Sequence, residues 1–188
     1  MPLKLRSTRQ TQKGITLKWN KPKGSVRYIV YGNQCGKKYK KKRLCETKKT
    51  SLVIKKILNK KLKKGTYYKF QIVAMDENNN MVARSVVIYA ATKGGKVGNV
   101  LKLTLKMPKK GTVTMKPGAK KKITVTQSKP KRVTVKKYVG LRYESSNVKV
   151  ATVTSKGVIR AKGGGTAKII VYTQNGLSKT IKVTVKGL

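Results

Sequence analysis

Apolar and polar residues alternate with a period of two along most of the chain, most clearly where β-branched or aromatic residues take turns with Lys or Thr. Ile15-Thr16-Leu17-Lys18-Trp19, Lys122-Ile123-Thr124-Val125-Thr126 and Ile181-Lys182-Val183-Thr184-Val185 each read as a strand with one buried and one wet face. No segment keeps a 3.6-residue period for three turns. Leu52 to Leu62 comes nearest, but lysines on every side make it a strand followed by a turn. Short strands separated by Gly, Pro, Asn and Lys predict an all-β chain built as sandwiches.

The alternation is interrupted at Lys93-Gly94-Gly95-Lys96-Val97-Gly98-Asn99. That break marks a domain boundary and gives two modules, residues 1–95 and 96–188. Charge does not distinguish them. Counted up to Lys96, the first part holds 26 basic and 3 acidic side chains; the second holds 22 and 1, for net charges of +23 and +21. A neutral domain with a basic tail is therefore excluded, and the expected picture is two folded modules with lysine on their wet strand faces. At 38% hydrophobic residues, the composition is that of a folding chain despite a net charge of +44.

The same composition narrows the chemistry. General acid and base catalysis at neutral pH leans on His, Asp and Glu. This chain has no His, and its carboxylates are Glu46, Asp76, Glu77 and Glu144. A calcium cage or a two-carboxylate glycosidase site would need most of them in one place. No enzymatic activity, no cofactor and no metal is expected. Two cysteines without His leave a zinc site half its ligands short. No apolar run approaches a membrane span. Met1 to Gln10 lacks the apolar stretch of a secretion signal, so an extracellular role implies a piece of a longer surface protein.

In the first module, Leu62-Lys63-Lys64-Gly65-Thr66-Tyr67-Tyr68-Lys69-Phe70-Gln71-Ile72-Val73-Ala74 resembles the E–F corner of fibronectin type III domains. Trp19, Pro22, Tyr28 and Val30 fall at matching earlier positions. The sequence departs from the family at Lys64, where Pro is usual. In the second module, Tyr143-Glu144-Ser145-Ser146-Asn147, Val150-Ala151-Thr152-Val153, Gly157-Val158-Ile159, Ala161 and Gly165-Thr166-Ala167-Lys168-Ile169 resemble a group 2 bacterial immunoglobulin-like domain over roughly residues 110 to 187. There Tyr143 stands where Trp is common. The resemblances imply two immunoglobulin-like β-sandwich domains in tandem, with a tyrosine corner at Tyr68. They also imply a bacterial cell-surface or secreted protein, with such domains serving as spacers, adhesion modules or accessory domains of carbohydrate-active enzymes.

Set on the type III topology, Cys35 and Cys45 flank the turn between strands C and C′, where a hairpin would bring them opposite each other. A disulfide and two free thiols are the alternatives, and an extracellular setting favours the disulfide. Between them Lys37, Lys38, Tyr39, Lys40, Lys41, Lys42 and Arg43 form a basic run with one ring, suited to an anionic polymer. Lys120, Lys121 and Lys122 extend the same field. Lysine far outnumbers arginine, and lysine offers a hydrated point charge instead of a bidentate fork. The expected partner is therefore a non-specific polyanion such as teichoic acid, an acidic polysaccharide or extracellular DNA. Sequence-specific nucleic-acid recognition and membrane insertion are not expected. An inert spacer, or an accessory domain of a larger cell-wall or carbohydrate-active enzyme, is the alternative role. Asp76 to Asn80 reads as a polar turn, Gly163-Gly164-Gly165 as a turn without a phosphate loop, and Glu144, opposite Tyr143 in the alternation, as outward-facing.

Overall fold

In a computed structural model, residues 2–106 and 111–187 are described; Lys110, where the second resemblance begins, lies outside them. Every regular element among the described residues is a strand. The chain forms two compact units. The first runs to Val100 and takes in Lys129–Tyr138 and Gln174–Gly176. The second comprises Leu101–Ser128, Val139–Thr173 and the chain from Leu177.

The first unit is a sandwich of two antiparallel sheets. β1 (Arg6–Gln10), β2 (Ile15–Lys18) and β5 (Ser51–Ile54) form one sheet in the order β1-β2-β5. β3 (Arg27–Gln34), β4 (Lys42–Thr47), β8 (Tyr67–Met75) and β10 (Ile88–Ala91) form the other in the order β10-β8-β3-β4, with β9 (Met81–Arg84) also paired to β8. This is the strand order implied by the fibronectin type III resemblance. Alternation explains it residue by residue: Tyr68, Phe70, Ile72 and Ala74 of β8 face Ile15 and Leu17 of β2 across one core. Trp19 is buried there, its ring edge-on to Tyr28 at 5.5 Å between centroids. Each such side chain contributes on the order of 1.5–3 kcal/mol by leaving water.

Residues 52–62, the nearest approach to a helix in the sequence, are a strand and a tight hairpin. After β5 come β6 (Lys56–Ile57) and β7 (Lys60–Lys61), joined by Leu58 and Asn59 at φ of 46° and 66°. Two consecutive positive φ values define the turn that best matches strand twist. The Leu62 N–H donates to the Lys55 carbonyl and closes the base of the hairpin.

The E–F corner follows immediately. Tyr68 buries its ring and its hydroxyl accepts the Lys63 N–H at 2.8 Å, as the tyrosine-corner resemblance implies. Gly65 sits at φ 58°, and a Cβ there would lie 2.7 Å from the Gly94 carbonyl oxygen. A Cβ on Gly95 would lie 2.9 Å from the Gly65 Cα. The glycines at 94 and 95 thus do more than interrupt an alternating pattern: they let two backbone segments of the first unit touch, joined by the Gly65 N–H donating to the Lys93 carbonyl.

The second unit is an immunoglobulin-like sandwich. β12 (Thr112–Met115), β19 (Ser178–Val185), β18 (Gly165–Tyr172) and β15 (Arg142–Ser145) form a sheet in the order β12-β19-β18-β15, with β12 parallel to β19. β13 (Lys120–Lys122), β17 (Val158–Ala161) and β16 (Ala151–Val153) form a second sheet, and β11 (Lys102–Lys106) pairs with β14 (Thr124–Ser128). Val113, Ile123, Ile159, Ile169, Ile181 and Val183 meet in its core. The alternating run at Lys122–Thr126 divides here, because buried Ile123 joins two strands that belong to different sheets. Tyr143 packs half-buried against this core, with its ring over Gly157, where a Cβ would approach to 2.8 Å.

Removing the Tyr68 hydroxyl leaves the Lys63 N–H without its acceptor. Tyr68→Phe is expected to cost about 1–2 kcal/mol in urea unfolding with an unchanged slope. Gly65→Ala, which faces both the φ and the contact with Gly94, is expected to cost more. Wild-type midpoints for both variants would contradict this account of the corner.

Candidate functional site

The basic run between the cysteines occupies the connection from β3 to β4, and the structure does not treat its members alike. Lys37, Lys38, Lys40 and Lys42 are exposed, while Tyr39 is half-buried. The Asn33 amide donates to the Lys40 carbonyl at 2.7 Å and the Tyr39 N–H donates to the Gly36 carbonyl, so the loop is folded back on itself. The Tyr39 ring lies close over Gly36, and the Lys38 ammonium is 5.5 Å from its centroid. Lys41 turns away to donate to the Gln71 side-chain oxygen. Desolvation, and then the charges of Arg84 and Lys69, lower its pKa. Arg43 pairs with Glu46 at 2.7 Å, and Arg27 reaches the same carboxylate oxygen at 2.9 Å.

Folding then adds something that sequence proximity did not show. The Tyr39 loop and the β6–β7 hairpin line one groove of ≈ 240 Å³. Lys60, Lys61 and Lys63 come to it from the hairpin and the corner, with Asn33 and Gln34 from the end of β3. Ile57, Leu58 and Tyr68 supply apolar surface. The sequence offers these lysines only as part of the general lysine coat; their assembly depends on the hairpin at Leu58-Asn59 and the corner at Tyr68.

Lys120, Lys121 and Lys122 are not one patch. Lys120 and Lys122 are exposed, with Lys120 directly opposite Arg160 on β17. Lys121 points to the other face, opposite buried Ile159. Lys120 and Arg160, with Lys156, Thr154 and Ser155, border a shallow pocket of ≈ 470 Å³, and the Lys122 ammonium is tied to the Lys156 carbonyl.

The expected pairing of Cys35 with Cys45 is corrected by register. Both are free thiols. Gly32 stands opposite Lys42 and Val30 opposite Cys45, with a bulge between Val30 and Tyr31. The hairpin axis therefore falls near Lys37, and Cys35, just past the end of β3, lies five residues beyond Cys45's partner. At ~3.3 Å per residue the two are offset by roughly 16 Å, more than twice the reach of a disulfide. Burial pushes the Cys35 thiol up to about 12, against a smaller opposing pull from Lys69, and burial raises Cys45 as well.

Glu144 requires a second correction. It faces away from Tyr143 as the alternation predicts, yet it is half-buried, and its carboxylate accepts the hydroxyl of Tyr172 at 2.7 Å. Burial first, and then this carboxylate, raise the Tyr172 pKa. The signal was present in Ile169-Ile170-Val171-Tyr172, four consecutive apolar residues that are all buried. Such a run marks a strand covered on both faces. The turn at Asp76–Asn80 is the polar turn expected: the Asp76 carboxylate accepts the N–H groups of Asn78 and Asn80, and Asn79 sits at φ 65°. Among the described residues no three His, Cys, Asp or Glu side chains gather as metal ligands would. Among the described residues no helix is long and apolar enough to cross a membrane.

No protein-family model matches this chain, and no curated protein is similar to it. Solved structures that resemble it include the human fibronectin type III domain containing protein 3 domain, at TM-score 0.41 and 22% identity over 51% of this chain and 87% of that one. A Parabacteroides distasonis beta-1,2-glucanase gives 0.40 and 14%, over 50% of this chain and 13% of its own. The Erwinia chrysanthemi pectate lyase PelI, in complex with tetragalacturonic acid, gives 0.39 and 12%, over 63% and 34%. Likeness at this level leaves the fold assignment resting on the strand order itself.

Two outcomes are expected. In denaturant without reductant, both thiols should react with a disulfide-exchange reagent, while in the native chain Cys35 should react far more slowly; no reactive thiol would mean a disulfide. Because the Cys35 pKa is raised above its unfolded value of 9.0, its contribution to stability is intact below pH 9 and lost as pH rises towards 12. For Asp76 the sign reverses. Hydrogen bonds led by the Asn80 N–H hold its pKa below 3.8, so the turn keeps its acceptor above that pH and loses it as pH falls below. An NMR titration should place the Asp76 carboxyl midpoint under 3.8, and a midpoint above it would refute the acceptor role.

Proposed function

We propose that the chain is a non-enzymatic structural and adhesive module of a bacterial cell-surface or secreted protein, whose lysine coat associates with anionic polymers. In this reading residues 1–95 form a fibronectin type III-like domain and residues 96–188 a group 2 bacterial immunoglobulin-like domain. Teichoic acid, acidic glycan and extracellular DNA are the polymers within reach of its chemistry.

One observation carries the reading. Like charges stand directly opposite each other on four separate ladders: Arg6 and Lys18, Lys56 and Lys61, Lys120 and Arg160, Lys168 and Lys182. Each such pair is destabilising by itself, by on the order of 0.2–1 kcal/mol. A coat needed only for solubility would gain by interspersing both signs. A coat kept at one sign is favoured when a polyanion supplies the other and its counterions are released.

The chain is expected to bind an immobilised polyanion at physiological salt and to elute as salt rises. With six to ten charge contacts, affinity should fall by about 10³–10⁵ between 50 and 200 mM salt. Flow-through at physiological salt would indicate a spacer, and retention indifferent to salt would rule out the mechanism.

A further inference from the structure

We propose that the groove formed by the Tyr39 loop and the β6–β7 hairpin holds a single acidic sugar residue, of uronate type, within an anionic glycan chain. The proposal rests on the polyanion reading and narrows it from a class of polymers to one.

The groove is amphipathic in the way a sugar is. A pyranose presents an apolar C–H face, a hydroxyl edge and, in a uronate, one carboxylate. Here Tyr39 and Leu58 offer apolar surface, Gln34 an amide, and Lys60, Lys61 and Lys63 three cations. At ≈ 240 Å³ the space is smaller than the ~300 Å³ at which drug-sized pockets begin, which suits one monosaccharide unit of a chain continuing on either side. No arginine lines it, so an acidic group is met by mobile point charges and not by a planar fork.

Leu58 supplies an independent argument. It sits at φ 46° in a turn whose two central positions favour Asn and Gly, and it is 54% exposed. A Leu there carries left-handed strain and leaves apolar surface in water. Strain of this kind collects where function needs the side chain, and the groove beside it is the surface that an apolar sugar face would cover.

The alternatives fit less well. Single-stranded nucleic acid is held by successive aromatic platforms. Tyr39 is one, whereas the Tyr68 ring is buried and its hydroxyl is bound to the Lys63 N–H. A phosphate-only polymer would use the lysines and gain nothing from Tyr39 or Leu58.

The test titrates the full chain with a tetra-uronate, a neutral tetraglucoside, a tetraphosphate and a thymidine tetranucleotide at constant, physiological ionic strength. The tetra-uronate should bind and the tetraglucoside should bind much more weakly. Tyr39→Ala should weaken tetra-uronate binding about five- to tenfold, and Tyr39→Phe by less than about twofold. Leu58→Asn, which suits the turn and keeps the fold, should also weaken it, while tetraphosphate binding is unchanged in all three variants. Tetra-uronate affinity indifferent to Tyr39 and Leu58 would overturn the site, as would equal Tyr39 dependence for the nucleotide. Salt-sensitive retention on a polyanion would still stand in those cases, so loss of the site and loss of the charge-coat reading are separately visible.

Discussion

Mutual repulsion among 48 cationic side chains, faced by four carboxylates, is the constraint under which every element of this protein is arranged. Net charge of one sign opposes compaction, so the fold needs a geometry that keeps ammonium groups in water while apolar groups meet. A strand with a period of two does this at every second residue, which is why alternation of Lys or Thr with Ile, Val or Tyr appears in both units. A helix would gather like charges at i and i+4 on one face. The balance favours the sheet. An opposed lysine pair costs a fraction of a kcal/mol and is screened over ~8 Å in physiological salt, while each buried Ile or Phe contributes several times as much.

The same scarcity gives the acidic residues local work. Glu46, on the edge strand β4, lies between Arg27 and Arg43, where it fixes two guanidinium groups. Asp76 closes a turn through backbone N–H groups, and Glu144 receives the hydroxyl of a buried tyrosine. They are dispersed over three places in the fold and serve different geometric ends.

Much of this was legible in the sequence because strand alternation is a local property. The core faces of β2, β8 and β19, the tyrosine corner and the polar turn at Asp76 all follow from residues within a few positions of one another. Features that depend on register were not legible. Cys35 and Cys45 look symmetric about the middle of their loop, but the β3–β4 hairpin turns near Lys37 and a bulge shifts the ladder by one, so neither thiol faces the other. Lys120 to Lys122 look like one patch, yet a strand sends adjacent side chains to opposite faces. Glu144 was placed on the correct face, but that face is covered, and only the unbroken run Ile169 to Tyr172 hinted at it.

The groove shows how a structural device becomes a positioning device. The Tyr68 hydroxyl holds the Lys63 N–H, which fixes the chain directly after the β6–β7 hairpin and so sets where Lys60, Lys61 and Lys63 stand. On the other side, Asn33 at the end of β3 grips the Lys40 carbonyl and folds the loop so that Tyr39 lies over Gly36. Both anchors belong to strands of the five-stranded sheet, β8 and β3, which pair along their whole shared length from Arg27 opposite Met75 to Gln34 opposite Tyr68. Two segments some twenty residues apart are thereby fixed by the most extensively paired strands of the first unit. The lysines at the groove keep flexible stems, but the backbone that presents them is tied to strands of the sheet by these two hydrogen bonds, and this separates a groove with a defined ring and rim from a diffuse cloud of charge.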